Sequence, residues 1–294
     1  MRTNTFTSYV DVLDLYVRPS LGEKRLSDVR PLDLQEMYSK MQTRGLSART
    51  IRYAHTIFSS ALEQAVKWRI AARNPAAQVE LPRMIRKEMS ALSPEEVARF
   101  LDAAKEDSLG ILFAFALATG LRPSEFLALQ WKDVDLNTGI ITVRRTLHRS
   151  KGGGRYYGEP KTVRSRRNIP LPSSTLRALV EHKRRQAEAR LRAGAHYRNN
   201  DLVFATGDGT PLLLRNIIRR HFRPVLRRAG LPETLRLYDL RHTCATLLLA
   251  AGVHPKVASE RPGHSSITLT MDVYSHVLPS MQQVATAKLE RHLV

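Results

Sequence analysis

Apolar residues recur at helical spacing through most of this 294-residue chain, and one stretch between residues 140 and 171 breaks that pattern. Before the break, residues 109–118 are apolar on every side, which is typical of a helix buried in a core. Within this stretch, Ile140, Ile141 and Val143 form one predicted strand, and residues 167–171 end another. The pattern therefore predicts a mainly α-helical fold with a small antiparallel β-sheet.

A long amphipathic helix is predicted within the first 85 residues. Ser47 is placed to cap its N-terminus, and Asn74 and Pro75 are placed to end it. Arg49 and Arg52 fall largely off its apolar face. Two interpretations of these arginines stay open: a solvated polar surface, or a surface that contacts nucleic-acid phosphates. The predicted apolar face consists of Ile51, Ala54, Phe58, Ala61, Leu62, Ala65 and Val66.

A basic segment at about residues 82–91 separates two predicted domains. Its proline and its charged residues are typical of an extended linker. Directly after it, Ser93, Pro94 and Glu96 form a capping-box pattern, which predicts that a new helix begins there. The predicted domains are residues 1–85, entirely helical, and residues 86–294, which mix helices and strands.

The charge balance indicates the class of partner. The chain carries 47 Lys and Arg residues against 27 Asp and Glu, a formal net charge of +20, which favours a polyanion. Cys244, the only cysteine, excludes an intrachain disulfide and is expected to be a buried apolar residue. The sequence shows neither the apolar core of a signal peptide nor a bilayer-spanning run. We therefore expect a cytoplasmic, nucleic-acid-binding protein without membrane association.

Arg122 is predicted to lie at the start of a helix. Gly120 is placed to end the buried helix before it, and Pro123 is placed to begin the next one. The free backbone N–H groups at a helix start favour an anion. Arg122 is therefore a candidate for binding a phosphate.

Arg241, His264 and Tyr274 follow Arg122 in order and complete a set suited to phosphodiester cleavage. Two arginines can bind the free oxygens of a phosphodiester, a histidine can add a hydrogen bond, and a tyrosine hydroxyl can attack the phosphorus. This chemistry needs no cofactor. The histidines also lack metal-ligand spacing, and one cysteine cannot form a zinc cluster, so no metal site is expected.

Five short motifs are spread over nearly the whole chain, each occurring once. In order they are GLSARTI at residues 45–51, TGLRPSE at 119–125, DLRHT at 239–243, GHSS at 263–266 and YSH at 274–276. In this order they resemble the tyrosine recombinases, the phage integrase family. The resemblance implies a core DNA-binding domain over residues 1–85 and a mixed α+β catalytic domain over residues 86–294. It implies a site-specific recombinase that cuts and rejoins double-stranded DNA through a 3′-phosphotyrosyl intermediate.

The resemblance also implies a role for each of five residues. Tyr274 is the nucleophile that attacks the scissile phosphate. Arg122 and Arg241 bind the non-bridging oxygens and stabilise the charge of the pentavalent transition state. His264 hydrogen-bonds the same phosphoryl group, and Lys161 donates a proton to the leaving 5′-oxygen.

Four further residues either have supporting roles in the implied site or differ from the family pattern. Lys151 competes with Lys161 for the role of proton donor and is otherwise expected to contact DNA. Glu125 is able to orient an arginine from one turn along its helix. Tyr238 stands where the family usually has histidine; its hydroxyl can donate to a phosphate but accepts a proton less readily near neutral pH. Pro262 stands where the family mostly has leucine and removes a backbone donor.

The implied partners are double-stranded DNA with specific recombination sites and three further copies of the chain, which form a tetramer on DNA. An accessory directionality factor, which sets the direction of recombination, is a further possible partner implied by the resemblance. An amphipathic terminal segment, residues 281–289, is expected to dock on a neighbouring protomer or on its own domain. The arm-binding domain of many integrases is expected to be absent from these residues. Two other functions stay open: a type IB topoisomerase-like enzyme that relaxes DNA, and a non-catalytic DNA-binding regulator on the same scaffold.

Overall fold

The chain folds into two compact units, Met1–Lys87 and Glu88–Val294. Most of the described residues are helical, and the strands pair in small antiparallel sheets, so the predicted fold class is confirmed. No described helix combines the length and the apolar character needed to cross a membrane. The structure is a computed structural model that describes residues 3–84, 90–150, 153–160, 166–263, 286 and 290.

The first unit is a bundle of helices around one apolar core. Leu34, Met37, Ile51 and Leu62 lie at its centre, each at most 1% exposed. A π-helical turn, Leu13–Val17, joins the first two helices. The α-helices of this unit are α1 (Thr3–Val12), α2 (Arg18–Leu21), α3 (Pro31–Thr43) and α4 (Ala48–Lys67), and its 3-10 turns are Leu26–Asp28 and Pro75–Gln78.

Helix α4 begins at the predicted residue and ends earlier than predicted. Ser47 Oγ accepts the backbone N–H of Thr50 at 3.2 Å, so the predicted N-cap is confirmed. The prediction that the helix runs to Asn74 is wrong, since α4 ends at Lys67. Arg69 adopts a left-handed backbone with φ of 59°, and its N–H and that of the next residue donate back to carbonyls of the last turn. This arrangement closes a helix without glycine.

The apolar face of α4 agrees with the prediction at most positions. Ala61 is exposed, so its placement on the buried face is wrong. Ile57, which lies between the predicted core positions, is 4% exposed instead. A repeat of 3.6 residues moves the buried stripe gradually round the helix, and this accounts for the exchange.

The second unit begins with the predicted capping box, and in the sequence its helices both precede and follow the strands. Ser93 Oγ accepts the N–H of Glu96 at 3.2 Å, and Glu96 Oε2 accepts the N–H of Ser93 at 2.9 Å, so the predicted box is confirmed. The helices are α5 (Pro94–Lys105), α6 (Gly110–Thr119), α7 (Pro123–Phe126), α8 (Ser173–Ala193), α9 (Leu214–Ile217), α10 (Arg223–Arg228), α11 (Asp239–Ala250) and α12 (Pro255–Glu260). The strands are β1 (Val134–Asp135), β2 (Ile140–Val143), β3 (Thr146–Arg149), β4 (Arg155–Gly158) and β5 (Arg167–Pro170).

The described strands form two sheets where one was predicted. Strands β1, β2 and β5 form an antiparallel sheet in that order, and Val143 on β2 lies opposite Arg167 on β5. Strands β3 and β4 pair only with each other as a hairpin. Gly153, with φ of 82°, lies in the connection between them, where glycine permits a tight reversal. Among the described residues, the hairpin is therefore a separate sheet from β1, β2 and β5.

The buried helix α6 brings the two arginine motifs together. Phe113 and Phe115 on α6 are completely buried, and the helix packs against α5 and α11. Gly120 follows α6 with φ of 63°, so the prediction that this glycine ends the helix is confirmed. The first turn of α11 meets this end of α6, because the Arg241 side chain donates to the Gly120 carbonyl at 2.9 Å.

Replacement of Gly120 by alanine should destabilise the second unit. The left-handed backbone costs an L-residue about 1–2 kcal/mol, and the new Cβ would lie 3.1 Å from Pro262 Cβ and 3.3 Å from Cys244 Sγ. Gly252→Ala is the matched control, since Gly252 has φ of 77° and no atom within 4 Å of a Cβ. Chemical denaturation should show a larger loss of unfolding free energy for Gly120→Ala. Equal losses would show that the contacts around Gly120 contribute nothing.

Candidate active site

Arg122 is held by its own helix and by a distant turn. It is the N-cap of the single-turn helix α7, and its Nη1 donates to Glu125 Oε1 at 2.7 Å. Its Nη2 donates to the carbonyl of Gly263 at 2.8 Å. The backbone N–H of Arg122 donates to Glu125 Oε2 at 3.0 Å, so the anion at this helix start is the Glu125 carboxylate. At this N–H, the anion that the sequence predicts at the helix start is thus supplied by the protein itself.

Arg241 is buried with part of its donor capacity unused. The residue is 1% exposed, and its Nη1 donates to the carbonyls of Gly120 and Pro262. Its Nε and Nη2 are buried and have no hydrogen-bond partner among the described residues. Burial lowers the pKa of Arg241 to about 10, and the neighbouring charge of Arg122 acts in the same direction. The side chain is thus still cationic at neutral pH, and a buried cation with open donors is suited to receive an anion.

Tyr238 lies at the start of α11 beside Arg241. The residue is 37% exposed, and Arg241 Cζ lies 5.9 Å from the centroid of its ring. This separation allows a cation–π contact between the two side chains. The ring also meets the His242 ring edge-on, with the centroids 5.3 Å apart. The ring therefore faces the buried arginine at the position where the family usually has histidine.

Glu125 is a buried carboxylate between two arginines. Its side chain is 1% exposed, and Arg167 Nη2 lies 3.0 Å from Oε2 while Arg122 Nη1 lies 2.7 Å from Oε1. Burial by itself raises the pKa of Glu125, but the charge of Arg167, its hydrogen bonds and those of Arg122 hold that pKa below its ordinary value. The carboxylate is therefore ionised at neutral pH.

Arg167 is the residue of this cluster that the sequence reasoning missed. It lies on β5, and its side chain is 9% exposed. The alternation of faces along the strand indicates that Arg167 is buried, because Arg167 shares a face with the buried Ile169 while Asn168 between them is exposed. An arginine on the buried face of a strand needs a carboxylate or carbonyl partner.

Four of the predicted site residues lie outside the described residues. They are the two candidate proton donors, the histidine and the nucleophile, and the predicted terminal helix over residues 281–289 lies outside as well, apart from residue 286. The described cluster reaches Gly263, the residue that precedes His264 in the sequence. The four residues are Lys151, Lys161, His264 and Tyr274.

Comparison with known proteins decides the family. The model of the phage integrase family matches residues 90–281. The chain belongs to the phage integrase family. A tyrosine recombinase XerC-like protein of Caldanaerobacter subterraneus subsp. tengcongensis is 33% identical, with 97% of this chain and 77% of that protein covered. The ICEBs1 integrase of Bacillus subtilis is 30% identical, with coverages of 98% and 78%.

Solved structures of integrases share the fold of this family member. The integrase of transposon Tn1549, in complex with transposon right end DNA, superposes with a TM-score of 0.82 at 25% identity. The match covers all of this chain and 95% of the Tn1549 integrase chain. The match to a lambda integrase dimer bound to a core site has a TM-score of 0.64 at 18% identity and covers 93% of this chain and 89% of that chain.

The candidate DNA-contacting arginines of this integrase family member differ in their surroundings. Arg49 is exposed on α4. Arg52 is partly buried, and its Nε donates to the carbonyl of Pro82 at 2.8 Å. Both arginines remain candidates for DNA contact, and part of the Arg52 guanidinium is occupied by the chain segment that follows the bundle.

The other residues with metal-ligating or nucleophilic side chains show no second site in the described part of the chain. No group of three or more His, Cys, Asp and Glu side chains there is placed to hold a metal ion. Cys244 is buried, as predicted, and burial raises the pKa of its thiol to about 11. The thiol is therefore protonated at neutral pH and acts as an apolar packing group.

Proposed function

We propose that this chain is a site-specific recombinase that cuts and rejoins double-stranded DNA through a covalent 3′-phosphotyrosyl bond at Tyr274. The observation that carries the proposal is the buried Arg241 guanidinium with two open donors, close enough to Arg122 for the two charges to repel. A buried cation whose donors have no partner is costly unless an anion lies near it, and the Glu125 carboxylate is already shared between Arg122 and Arg167. A scissile phosphate supplies that anion, and its charge increases in the transition state, where fixed donors stabilise it most.

In this proposal each side chain has one task. The Tyr274 hydroxyl gives its proton to solvent while its oxygen attacks the phosphorus, the bond to the 5′-oxygen breaks, and Lys161 supplies the proton that this oxygen takes; Lys151 is the alternative donor. Arg122 and Arg241 hold the non-bridging oxygens, and His264 adds a hydrogen bond to the same group. A second attack by a free 5′-hydroxyl reverses these steps and releases the tyrosine, so no external energy source is needed.

Tyr238 and Glu125 have supporting tasks. The Tyr238 ring lies over Arg241 and restrains its guanidinium, and its exposed hydroxyl is available as a donor to the phosphate. Glu125 aligns Arg122 through two hydrogen bonds, one to the side chain and one to the backbone. These contacts reduce the reorganisation that the site needs when DNA binds.

The two compact units correspond in this proposal to a core DNA-binding domain and a catalytic domain, with the boundary in the segment after the first bundle. The integrase of Tn1549, which matches the whole chain, was solved in complex with DNA, and this supports a role in DNA binding for both units. We further propose that the active form is a tetramer on DNA in the cytoplasm, associated with the nucleoid, and that an accessory factor sets the direction of strand exchange.

Two assays separate this function from its alternatives. A recombinase joins DNA between two duplexes that carry its sites, whereas a type IB topoisomerase only relaxes supercoils within one duplex. Incubation of the protein with a pair of plasmids bearing its flanking attachment sequences should yield recombinant junctions. Relaxation without any junctions would instead support the topoisomerase, and DNA binding without cleavage of nicked site DNA would support the regulator.

DNA affinity should fall steeply with salt, because phosphate neutralisation releases counterions. With about six phosphate contacts, the loss is about 1000-fold between roughly 50 mM and 200 mM salt. Arg49→Gln should lower the salt slope by about one, since Arg49 is exposed on α4. Arg52→Gln is the comparison and should lower it less, because part of the Arg52 guanidinium binds Pro82. Fluorescence anisotropy at several salt concentrations measures both slopes; an unchanged slope in Arg49→Gln would remove Arg49 from the interface.

A further inference from the structure

Arg167 on strand β5 connects two parts of the second unit that contact Arg122. Its Nη2 lies 3.0 Å from Glu125 Oε2, and its Nη1 lies 3.4 Å from Oε1. Its Nε donates to the carbonyl of Arg261 at 2.7 Å. One side chain on strand β5 therefore joins the Arg122 helix to the turn that runs through residues 261–263.

The same guanidinium lies against Gly263. A Cβ at Gly263 would meet Arg167 Cζ and Nη1 at 2.9 Å, and Gly263 has φ of 72°, so any side chain there would be strained as well. Arg122 Nη2 donates to the carbonyl of Gly263. Arg167 and Arg122 thus contact the same residue, which immediately precedes His264.

The charge arrangement explains why a second arginine is needed beside Glu125. A buried carboxylate paired with one arginine forms a neutral unit, which has little attraction for a phosphate. With Arg167 as a second cation, the unit of Arg122, Glu125 and Arg167 keeps one net positive charge. Arg122 is then aligned by the carboxylate and still able to bind an anion.

We infer that Arg167 is a positioning residue for phosphoryl transfer: it holds the Glu125 carboxylate and the Gly263 turn so that Arg122 is presented to the scissile phosphate. This inference rests on the proposed recombinase function and extends it. Three of its N–H groups, one on each nitrogen, are directed to Glu125 and to the Arg261 carbonyl, and the inferred role requires no contact between Arg167 and DNA.

A pH-dependent consequence follows from the groups that face Glu125. They are Arg122 on its own helix, Arg167 on β5 and Arg241 on α11. Burial raises the pKa of Glu125, and Arg167 provides the largest opposing effect, ahead of Arg122. Removal of the Arg167 charge should therefore raise this pKa. As the pH falls through the raised value, Glu125 takes up a proton, loses its grip on Arg122, and activity declines.

The test compares Arg167→Gln and Arg167→Lys with the matched control Arg166→Gln, whose exposed side chain pairs only with the exposed Glu159 among the described residues. Covalent adduct formation is timed at saturating nicked DNA between about pH 5.5 and pH 8.5. Arg167→Gln should slow adduct formation about 100-fold, the effect of a small misplacement of reacting groups. It should also move the acid limb, which is the fall in rate at low pH, to higher pH. Arg167→Lys retains the charge, so its acid limb should stay near that of the wild type while its rate falls.

Two further measurements make the outcome decisive. In a Glu125→Gln background, Arg167→Gln should add little further loss, since both changes act through one carboxylate. A ¹³C NMR titration of the Glu125 carboxyl should show a raised pKa in Arg167→Gln but not in Arg166→Gln, even without any DNA. If Arg167→Gln does not fold, the unchanged acid limb and slower rate of Arg167→Lys carry the test.

The failures are distinguishable. A wild-type protein that forms no adduct would overturn the proposed function, and the NMR titration would still decide the Arg167–Glu125 link. An active wild type with an Arg167→Gln variant that matches Arg166→Gln in rate and acid limb would overturn the Arg167 inference alone. Full additivity with Glu125→Gln would also overturn it, because Arg167 would then act independently of the carboxylate.

Discussion

Arg241→Ala is expected to abolish DNA cleavage while leaving DNA binding largely intact. Arg241 provides two open buried donors, Nε and Nη2, which alanine cannot replace. Loss of one preorganised donor to a developing oxyanion typically costs about 100- to 1000-fold in rate, and this substitution removes two donors together with their charge. DNA affinity depends on many exposed cations, so one buried arginine contributes little to it.

Arg241→Lys separates the charge from the geometry. Lysine keeps a positive charge, but a single ammonium cannot hold the Gly120 and Pro262 carbonyls and also bind a phosphate as a planar fork does. We therefore expect Arg241→Lys to cleave at least about 100-fold more slowly than the wild type. Arg227→Gln is the control, because Arg227 forms an exposed ion pair with Glu233, and such pairs contribute little to stability.

The measurements are the single-turnover rate of adduct formation, the Kd for site DNA and the thermal midpoint of each variant. Normal cleavage by Arg241→Ala would remove Arg241 from the site. A joint loss of cleavage, binding and cooperative melting would show that its carbonyl bonds serve mainly the fold, and Arg241→Lys would then decide the catalytic role.

Local signals predicted the parts of the fold that depend on neighbouring residues. The caps at Ser47 and Ser93 and the left-handed Gly120 each depend on residues within one turn, so the sequence shows them directly. The end of α4 was mispredicted because Arg69 takes a left-handed backbone that glycine usually occupies. The pairing of β3 with β4 alone was missed because alternation identifies strands and not their partners.

Three residues of the predicted site lie together in the structure, but the contacts that hold them there were not predicted. Arg122, Glu125 and Arg241 were identified from motifs, and the structure brings them together. The contacts from Arg241 to Gly120 and from Arg167 to Glu125 join residues far apart in the sequence. Such contacts depend on how α6, α11 and β5 pack. A single sequence contains no direct signal for them, and burial of Arg167 was visible only through strand alternation.

Tyr274→Phe is expected to eliminate the covalent intermediate entirely. Phenylalanine keeps the ring and loses the oxygen that forms the bond to phosphorus, so cleavage has no nucleophile. Binding of site DNA should be unchanged, since one hydroxyl is lost and no charge. Tyr238→Phe is the matched control: it keeps the ring beside Arg241, removes the other candidate hydroxyl, and should slow cleavage while leaving the adduct detectable.

The most direct measurement maps the adduct itself. Site DNA with a nick next to the scissile bond traps the intermediate, because the short 5′-hydroxyl fragment diffuses away before it can rejoin. After nuclease and protease digestion, mass spectrometry should find the phosphonucleotide on Tyr274 in the wild type and in Tyr238→Phe, and no adduct in Tyr274→Phe. An adduct on another residue, or one that persists in Tyr274→Phe, would contradict the assignment of Tyr274 as the nucleophile.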